Sequence, residues 1–263
     1  MEISPEQYEK IKDSLPLQRG NVRLTNLQIL NAILYVTEQG CKWRGLPKRF
    51  GNWHTIYVRM NRWAKNGVLD RVFEKLQLEQ IVRIRIEAFA LDSTSVKVHP
   101  DGTGALKKIP QAIGKSRGGW TTKIHLVAAD ARTAITFALS PGNAHDAPQG
   151  RALLEELGPM PHGLPLLMDK AYEDNLTRQL VLDLGMLPVV PPKCNRIEPW
   201  EYDRALYKKR HEIERLFRRL KGFRRIFSRF EKLDVIFLAS LQFPLIIEPL
   251  RLVEHELVSC NRS

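Results

Sequence analysis

Cysteine is scarce in this sequence. Its 263 residues include three cysteines, Cys41, Cys194 and Cys260. None belongs to a CxxC pair or lies at metal-ligand spacing from a histidine. This pattern excludes a small disulfide-stabilised scaffold and argues against a structural zinc site. We expect three inert thiols in a reducing compartment.

Long uninterrupted apolar runs are also missing. The longest apolar stretch, Leu233–Val253, contains Asp234, Glu248 and two prolines, and charged side chains are costly inside a bilayer. The segment Met1–Lys12 is polar and acidic, unlike a signal peptide. The sequence therefore predicts a cytoplasmic protein with no membrane partner.

Positive charge is abundant. Lys and Arg number 41 against 29 Asp and Glu, which gives a formal net charge of +12 and a pI near 9.8. Hydrophobic residues make up 43% of the chain, enough to exclude a disordered tail and to bury a core. Residues 193–232 carry 14 Lys and Arg against 6 Asp and Glu. This balance indicates a polyanionic partner, although charge alone identifies neither a sequence nor a chemistry.

The first 87 residues are expected to be helical. Ser4–Gln7 and Thr25–Gln28 each have the pattern of a capping box at a helix start. A third helix is predicted over about residues 53–66, and a fourth begins near Val68. In the third helix an apolar stripe recurs at helical spacing, formed by Trp53, Ile56, Met60 and Trp63.

The far side of the third helix is basic. It carries Arg59, Arg62 and Lys65. A helix with one apolar face and one basic face suits a helix-turn-helix module that reads a DNA groove. The same pattern is equally typical of the solvated face of an ordinary bundle, and the spacing alone does not choose between these interpretations.

From Glu87 onward, short β-rich runs replace the helical pattern. The predicted strands are Ala88–Val98, Thr121–Ala129, Ala134–Leu139, Leu164–Met168 and a very short Pro188–Val190. Helices near residues 147–157 and 173–184 separate the later strands. Three successive strands followed by strand–helix alternation predict a mixed α/β sheet with helices on its faces. We expect the C-terminal apolar helix to pack on this sheet.

Two aspartates follow apolar strands in the same way. Asp92 comes after Ala88–Leu91, and Asp169 comes after Leu164–Met168. In α/β proteins the carboxyl ends of strands open onto the ligand crevice, and an unpaired carboxylate is costly to bury. The alternative is that each aspartate caps a turn or a helix.

A long basic helix, predicted over about residues 202–223, supplies a third acid. At 100° per residue, Tyr207, Arg210, Glu214 and Lys221 fall within an arc of about 60°, with Arg218 close by. Glu212 falls on the outward side of this helix. Glu214 is therefore the better candidate, although an exposed Arg210–Glu214 pair would produce the same spacing.

Three carboxylates brought together repel one another, and divalent cations relieve that repulsion. Carboxylate ligands favour Mg²⁺ or Mn²⁺ over zinc. Two such ions support in-line displacement at a phosphodiester. In a basic protein, Asp92, Asp169 and Glu214 therefore suggest a nuclease or a strand transferase.

Several motifs resemble those of bacterial insertion-sequence transposases of the DDE class. Residues 207–221 fit Y-x2-R-x3-E-x6-K, the hallmark of that class. Further matches resemble the insertion-sequence-five family; they are Leu91–Thr94 with His99, Gly114–His125, Pro141–Asp146, Met168–Tyr172 and, in the N-terminal region, Trp43–Pro47 with Phe50–Trp53. The resemblance covers nearly the whole chain.

The resemblance implies a transposase with two functional domains. Residues 1–87 would recognise transposon ends, residues 88–258 would form a ribonuclease-H-like catalytic domain, and residues 259–263 would be a tail. It also implies that Asp92, Asp169 and Glu214 bind two Mg²⁺ or Mn²⁺ ions. The partners would be double-stranded DNA, at both the element's ends and the target, and further copies of the chain in a homodimer or larger synaptic assembly. Because its partner would be DNA, the protein would associate with the bacterial nucleoid in the cytoplasm.

Other enzymes and a non-enzyme remain as alternatives. A metal-dependent nuclease or resolvase on the same fold would cut DNA without strand transfer, and a catalytically inactive regulator would only bind it. Among the remaining candidates, we expect Lys123 to contact DNA, together with four residues of the basic helix, Tyr207, Arg210, Arg218 and Lys221. We expect His125 to form a hydrogen bond in a loop or strand rather than to bind a metal. Asp146 is expected at the N-cap of a helix, and Gly114–Gly119 is interpreted as a mobile basic loop.

Overall fold

The computed structural model describes residues 2–83, 86–104, 111–160 and 162–260. The chain forms two compact units. The helical unit combines Met1–Arg83, His99–Gln111 and Leu220–Ser263, and the sheet unit combines Ile84–Val98 with Ala112–Arg219. The predicted functional domains, 1–87 and 88–258, were divided by their roles in DNA recognition and catalysis rather than by compactness. They stay a prediction.

The elements follow one another in chain order. The helices are α1 (Pro5–Ile11), α2 (Asn26–Gln39), α3 (Trp53–Lys65), α4 (Val68–Arg83), α5 (Asp146–Leu157), α6 (Asn175–Asp183), α7 (Arg204–Tyr207), α8 (His211–Gly222), α9 (Arg224–Phe227) and α10 (Asp234–Cys260). The strands are β1 (Phe89–Val98), β2 (Gly114–Ser116), β3 (Gly119–Ala128), β4 (Ala134–Pro141), β5 (Pro165–Met168), β6 (Leu187–Val189) and β7 (Ser228–Arg229).

The predicted helix starts are confirmed in the helical unit. Ser4 and Thr25 both form capping boxes, in which the cap side chain and the glutamine three residues later satisfy each other's backbone N–H groups. Helix α2 ends at Gly40, whose φ of 69° is a left-handed conformation that favours glycine.

The helical core is built from α2, α3, α4 and α10. The predicted stripe on α3 buries Ile56, Met60 and Trp63. Helix α10 packs against α2, α3 and α4 and buries Phe237 and Phe243 completely. Our expectation that this helix covers the sheet was wrong, because the apolar faces of the N-terminal helices are its partners. In the described part of the chain, no helix combines the length and apolar character needed to cross a bilayer.

The sheet unit has the predicted mixed sheet. Strand β1 pairs antiparallel with β3, which pairs with β4, and on its other side β1 pairs parallel with β5, which pairs with β6. The spatial order is therefore β4-β3-β1-β5-β6, with β2 pairing the start of β3. Helices α5 and α6 pack against the sheet. This arrangement confirms the ribonuclease-H-like expectation.

Two local predictions were wrong. Gly114–Ser116, interpreted as part of a mobile loop, is the strand β2 of a hairpin. The basic helix predicted over residues 202–223 is divided into α7, a 3₁₀ turn at Lys208–Arg210 and α8. A 3₁₀ turn has about three residues per turn rather than 3.6, so the angle calculated for Tyr207 does not carry across it.

Candidate active site

The two aspartates lie on adjacent strands, Asp92 within β1 and Asp169 directly after β5. Leu91 on β1 is in register with Met168 on β5, and the strands run parallel. Asp92 and Asp169 are the next residues of each chain segment. Asp169 also caps the 3₁₀ turn Lys170–Tyr172, accepting a hydrogen bond of 2.6 Å from the Lys170 N–H. The capping interpretation is therefore correct for Asp169, and it leaves this carboxylate beside Asp92.

The side chain of Asp92 is only 15% exposed. The backbone N–H of Ser93 donates a 2.7 Å hydrogen bond to its Oδ1. The pKa of Asp92 is raised to about 6, chiefly by burial and also by the neighbouring charge of Asp169. Hydrogen bonding from Ser93 and the charge of Arg210 act in the opposite direction.

Arg210 joins Asp92 to the basic helix. Its Nη1 lies 2.6 Å from Asp92 Oδ2, and its Nη2 lies 2.6 Å from Glu214 Oε1. The i,i+4 pair between Arg210 and Glu214 is therefore present, but the same guanidinium also reaches β1. Glu212 pairs instead with His211 at 2.7 Å and with Arg215 at 2.9 Å.

The carboxylates near Asp92 fit a hard divalent cation. Asp92, Asp169 and Glu214 offer carboxylate oxygens, the ligands that Mg²⁺ and Mn²⁺ prefer. A guanidinium held between two of these carboxylates marks a place that needs positive charge. Within the described ranges, however, no three His, Cys, Asp or Glu side chains are already arranged around a common metal position. The triad therefore stays a prediction.

A second polar network lies behind Asp92. The Ser93 hydroxyl donates to Asp146 Oδ1 at 2.9 Å, and Lys123 Nζ donates to the same oxygen at 2.9 Å and to the Ala144 carbonyl at 2.7 Å. Lys123, predicted to contact DNA, is 17% exposed in this ion pair. A charged contact across β1, β3 and α5 thus reaches the residue next to Asp92.

Sequence reasoning misplaced Asp146 by one position. It is the first residue of α5, and His145 is the N-cap, without a side-chain hydrogen bond to the helix. The Asp146 carboxylate is directed to Lys123 and Ser93 instead. Sequence spacing gives no signal for this contact, because the three residues come from separate elements.

His125, on strand β3, forms the predicted hydrogen bond. Its Nε2 lies 2.8 Å from the Ser140 hydroxyl on the adjacent strand β4, and its side chain is fully buried. Burial lowers the pKa of His125 to about 4. The neutral imidazole is a structural group of the sheet.

The predicted DNA-contacting residues of the basic helix have different environments. The Tyr207 ring centroid is 5.9 Å from the Arg210 guanidinium carbon, and burial raises the pKa of Tyr207. Arg218 is exposed on α8. Lys221 is half-buried, and burial lowers its pKa. Of the four, Arg218 is the one presented openly to solvent.

The N-terminal cations also differ in exposure. Arg62 and Lys65 are exposed on α3. Arg59 is half-buried and donates to the Leu24 carbonyl at 3.4 Å and to Asn26 Oδ1 at 3.5 Å, at the start of α2. Arg59 and Arg62 line a cleft of about 300 Å³ within the helical unit.

Family models match most of the chain. Residues 83–241 match the model described as a transposase DDE domain. Residues 3–73 match the model described as a putative transposase of the IS4/5 family. Together the two matches cover both the N-terminal helices and the carboxylate site.

Two curated relatives are similar to part of this chain. A putative transposase for insertion sequence element IS6501 of Brucella ovis is 34% identical over 113 residues, 43% of this chain and 85% of that protein. The uncharacterized protein y4sN of Sinorhizobium fredii is 32% identical over 106 residues, 39% of this chain and 82% of that protein.

Solved structures with a weak likeness to this chain include two transposase complexes. A piggyBac transposase synaptic complex with hairpin DNA has a TM-score of 0.39 and 10% identity, covering 73% of this chain and 47% of that chain. A Mos1 transposase paired-end complex with the left transposon end has a TM-score of 0.26 and 11% identity, covering 84% and 82%.

Proposed function

Because this chain belongs to the DDE transposase family, we propose that it binds the inverted-repeat ends of its own insertion sequence, cuts the DNA and joins the freed 3′-hydroxyl to a target. The family membership rests on the match over residues 83–241. The observations that support the proposed chemistry are the neighbouring positions of Asp92 and Asp169 after the paired residues Leu91 and Met168, and the contacts of Arg210 with both Asp92 and Glu214.

Each residue has a distinct task in this proposal. Asp92, Asp169 and Glu214 would hold two Mg²⁺ or Mn²⁺ ions. Such ions, when bound, would activate an attacking oxygen and stabilise the leaving oxygen of a phosphodiester. Ser93 and the Asp146–Lys123 pair hold Asp92 in place. Arg210 neutralises Asp92 and Glu214 and lies where a DNA phosphate would approach.

Double-stranded DNA is the proposed partner, and further copies of the chain would complete a synaptic assembly. The basic segment 193–232 has eight more cations than acids. If eight phosphates are neutralised, the logarithm of the binding constant should fall with the logarithm of salt concentration with a slope of roughly −7. A flat salt response in a fluorescence anisotropy titration would exclude phosphate contacts in this number.

The N-terminal helices would recognise the element's ends. Arg62→Ala should weaken binding to the end sequence more than binding to an unrelated duplex of the same length. Arg59→Ala should do so as well, with an added loss of stability because Arg59 also donates to the start of α2. Unchanged end binding in both variants would favour the ordinary bundle.

A mobilisation assay in cells tests the proposal directly. The gene with its native flanking DNA is placed on a plasmid, and excision and new insertions are sequenced for the wild type and for Asp92→Asn. Mobilisation that requires Asp92 supports transposition and reveals the ends and target duplication. Without mobilisation, the purified chain with Mg²⁺ separates a nuclease, which cuts without joined products, from a regulator, which binds without cutting.

A further inference from the structure

The β2–β3 hairpin ends in an exposed tip that the candidate active site does not use. Lys115 on β2 is directly opposite Trp120 on β3, and Arg117 and Gly118 form the turn between the strands. Lys115 and Arg117 are exposed, and the Trp120 indole is 51% exposed. Residues 114–120 contain no acidic side chain. The tip thus presents an apolar ring beside two exposed cations.

The tip is held rigidly. The Thr121 hydroxyl donates to Ser116 Oγ at 3.0 Å across the hairpin. Gly114 packs so closely on Asn143 and Pro141 that a Cβ would overlap them, and Gly142 packs equally closely on Thr121. The hairpin is therefore fixed against the turn that follows β4, and its exposed side chains project from an ordered backbone.

The exposed ring lies on the same face of the sheet as Asp92. Asp92 on β1 is opposite Leu126 on β3, and Trp120 precedes Leu126 by six residues on that strand. Side chains separated by an even number of residues share a face, and six residues of strand span about 20 Å. In B-form DNA, about 20 Å corresponds to roughly six base pairs at 3.4 Å per pair.

We propose that the β2–β3 tip, comprising Lys115, Arg117 and Trp120, binds DNA about six base pairs from the phosphate positioned at Asp92. Lys115 and Arg117 contact phosphates, and the Trp120 indole packs against the sugars and base edges between them. The absence of acidic residues in this tip favours a polyanion over a protein surface. This inference rests on the proposed function, since it assumes that DNA lies along this face.

The chain offers matched controls for both side-chain types. Lys97 on β1 is exposed and pairs with Thr121, one position from Trp120, which places it on the opposite face of the sheet. Leu187 on β6 is 50% exposed, nearly the same as Trp120. Replacing these residues removes a comparable cation or apolar group without touching the tip.

The experiment measures binding of the full chain to a fluorescently labelled 40-base-pair duplex that carries the element's end. Trp120→Ala should weaken binding about tenfold, within the range measured for loss of an aromatic nucleic-acid contact. Trp120→Phe should restore most of the affinity. Lys115→Gln and Arg117→Gln should each reduce the log–log salt slope by about 0.9. Lys97→Gln and Leu187→Ala should bind within twofold of the wild type.

Duplex length locates the contact. Once the cleavage position is mapped, duplexes are shortened from the outside toward that position. The difference between Trp120→Ala and the wild type should disappear when fewer than about six base pairs remain on the side of the tip. A difference that persists on shorter arms would overturn the predicted position.

The outcomes separate this inference from the proposed function. If the wild type binds and cuts DNA while all three tip variants bind as it does, the inference fails and the proposed function stands. If the wild type does not bind the duplex, both fail. If Trp120→Ala does not fold, by circular dichroism, then Trp120→Phe, Lys115→Gln and Arg117→Gln decide the question. If the tip variants lose self-association but keep DNA affinity, the surface belongs to a second copy instead.

Discussion

Asp92 and Asp169 directly follow the paired residues Leu91 and Met168 on two adjacent parallel strands, and yet their environments differ. Asp92 is 15% exposed, ion-paired with Arg210 and linked through Ser93 to the Asp146–Lys123 pair. Asp169 lies at the end of a four-residue strand, where it caps the following turn. The difference arises because β1 is central and continues to Val98 beside β3, whereas β5 stops at Met168 next to the three-residue strand β6.

The comparison shows two ways in which a carboxylate is held in such a site. Asp92 is held by several contacts, but burial makes its charged form unfavourable. Asp169 is positioned by the local 3₁₀ turn Lys170–Tyr172, which it caps. A site can thus combine one carboxylate held by tertiary contacts with one held by its own turn.

The largest expected effect comes from removing the charge of each acid. Asp92→Asn, Asp169→Asn and Glu214→Gln should each reduce Mg²⁺-dependent DNA cleavage by about 10³-fold or more, since the remaining carboxylates cannot hold both ions. Duplex binding should stay within a few-fold of the wild type. Product gels and anisotropy titrations measure the two quantities.

Glu212→Gln is the matched control for that series. Glu212 is on the same helix as Glu214 and pairs with His211 and Arg215, so its loss should change cleavage by less than twofold. Full activity in any one triad variant would remove that residue from the triad. A Glu212→Gln variant as inactive as Glu214→Gln would reopen the choice of the third acid.

A smaller effect should follow from weakening the support of Asp92. In Asp146→Asn, Lys123 loses its ionic partner and Ser93 is held less firmly, so cleavage should fall about tenfold, and the Mg²⁺ concentration for half-maximal cleavage should rise. A general loss of stability would lower the melting temperature without changing the metal requirement. Asp146→Glu should restore part of the metal affinity, and Asp174→Asn, which alters another carboxylate in an ion pair, should leave it unchanged.

The smallest effect concerns stability. Because burial raises the pKa of Asp92 to about 6 from 3.8, the ionised form opposes folding at neutral pH. Asp92→Asn should therefore stabilise the metal-free chain at pH 7 by about 1–2 kcal/mol, allowing for the lost Arg210 contact. Asp169→Asn should change stability little, since asparagine also caps turns.

The pH dependence of that difference gives its sign an independent check. At pH 7 the ionised Asp92 lowers the free energy of unfolding of the wild type. This destabilisation decreases as pH falls through about 6, when the folded state takes up a proton, and it is gone below about 3.8, where the unfolded state is protonated as well. The advantage of Asp92→Asn over the wild type should therefore shrink between pH 7 and pH 4. Thermal melts in EDTA measure it; an advantage that grows on acidification would contradict the assignment.

The parts of the fold that could be predicted were those with strong local patterns. The apolar runs before Asp92 and Asp169 identified two interior strands, and the capping boxes identified two helix starts. Strand β2 was missed because Gly114 and Gly118–Gly119 have the composition of a loop, while the pairing with β3 that makes it a strand is not local. Arg210 was placed near the site by helical spacing, but its contact with Asp92 depends on tertiary packing.

The discontinuity of the helical unit has a consequence for fragments of this chain. That unit takes its residues from three separate stretches, Met1–Arg83, His99–Gln111 and Leu220–Ser263. A polypeptide that stops at residue 87 would retain α1 to α4 but lose α10, which covers the apolar faces of α2, α3 and α4. Ribosomal synthesis releases those first helices long before α10 emerges, so the surface of α2, α3 and α4 that α10 covers stays exposed while the sheet-forming residues are made. The helical core is therefore complete only once α10 has been synthesised.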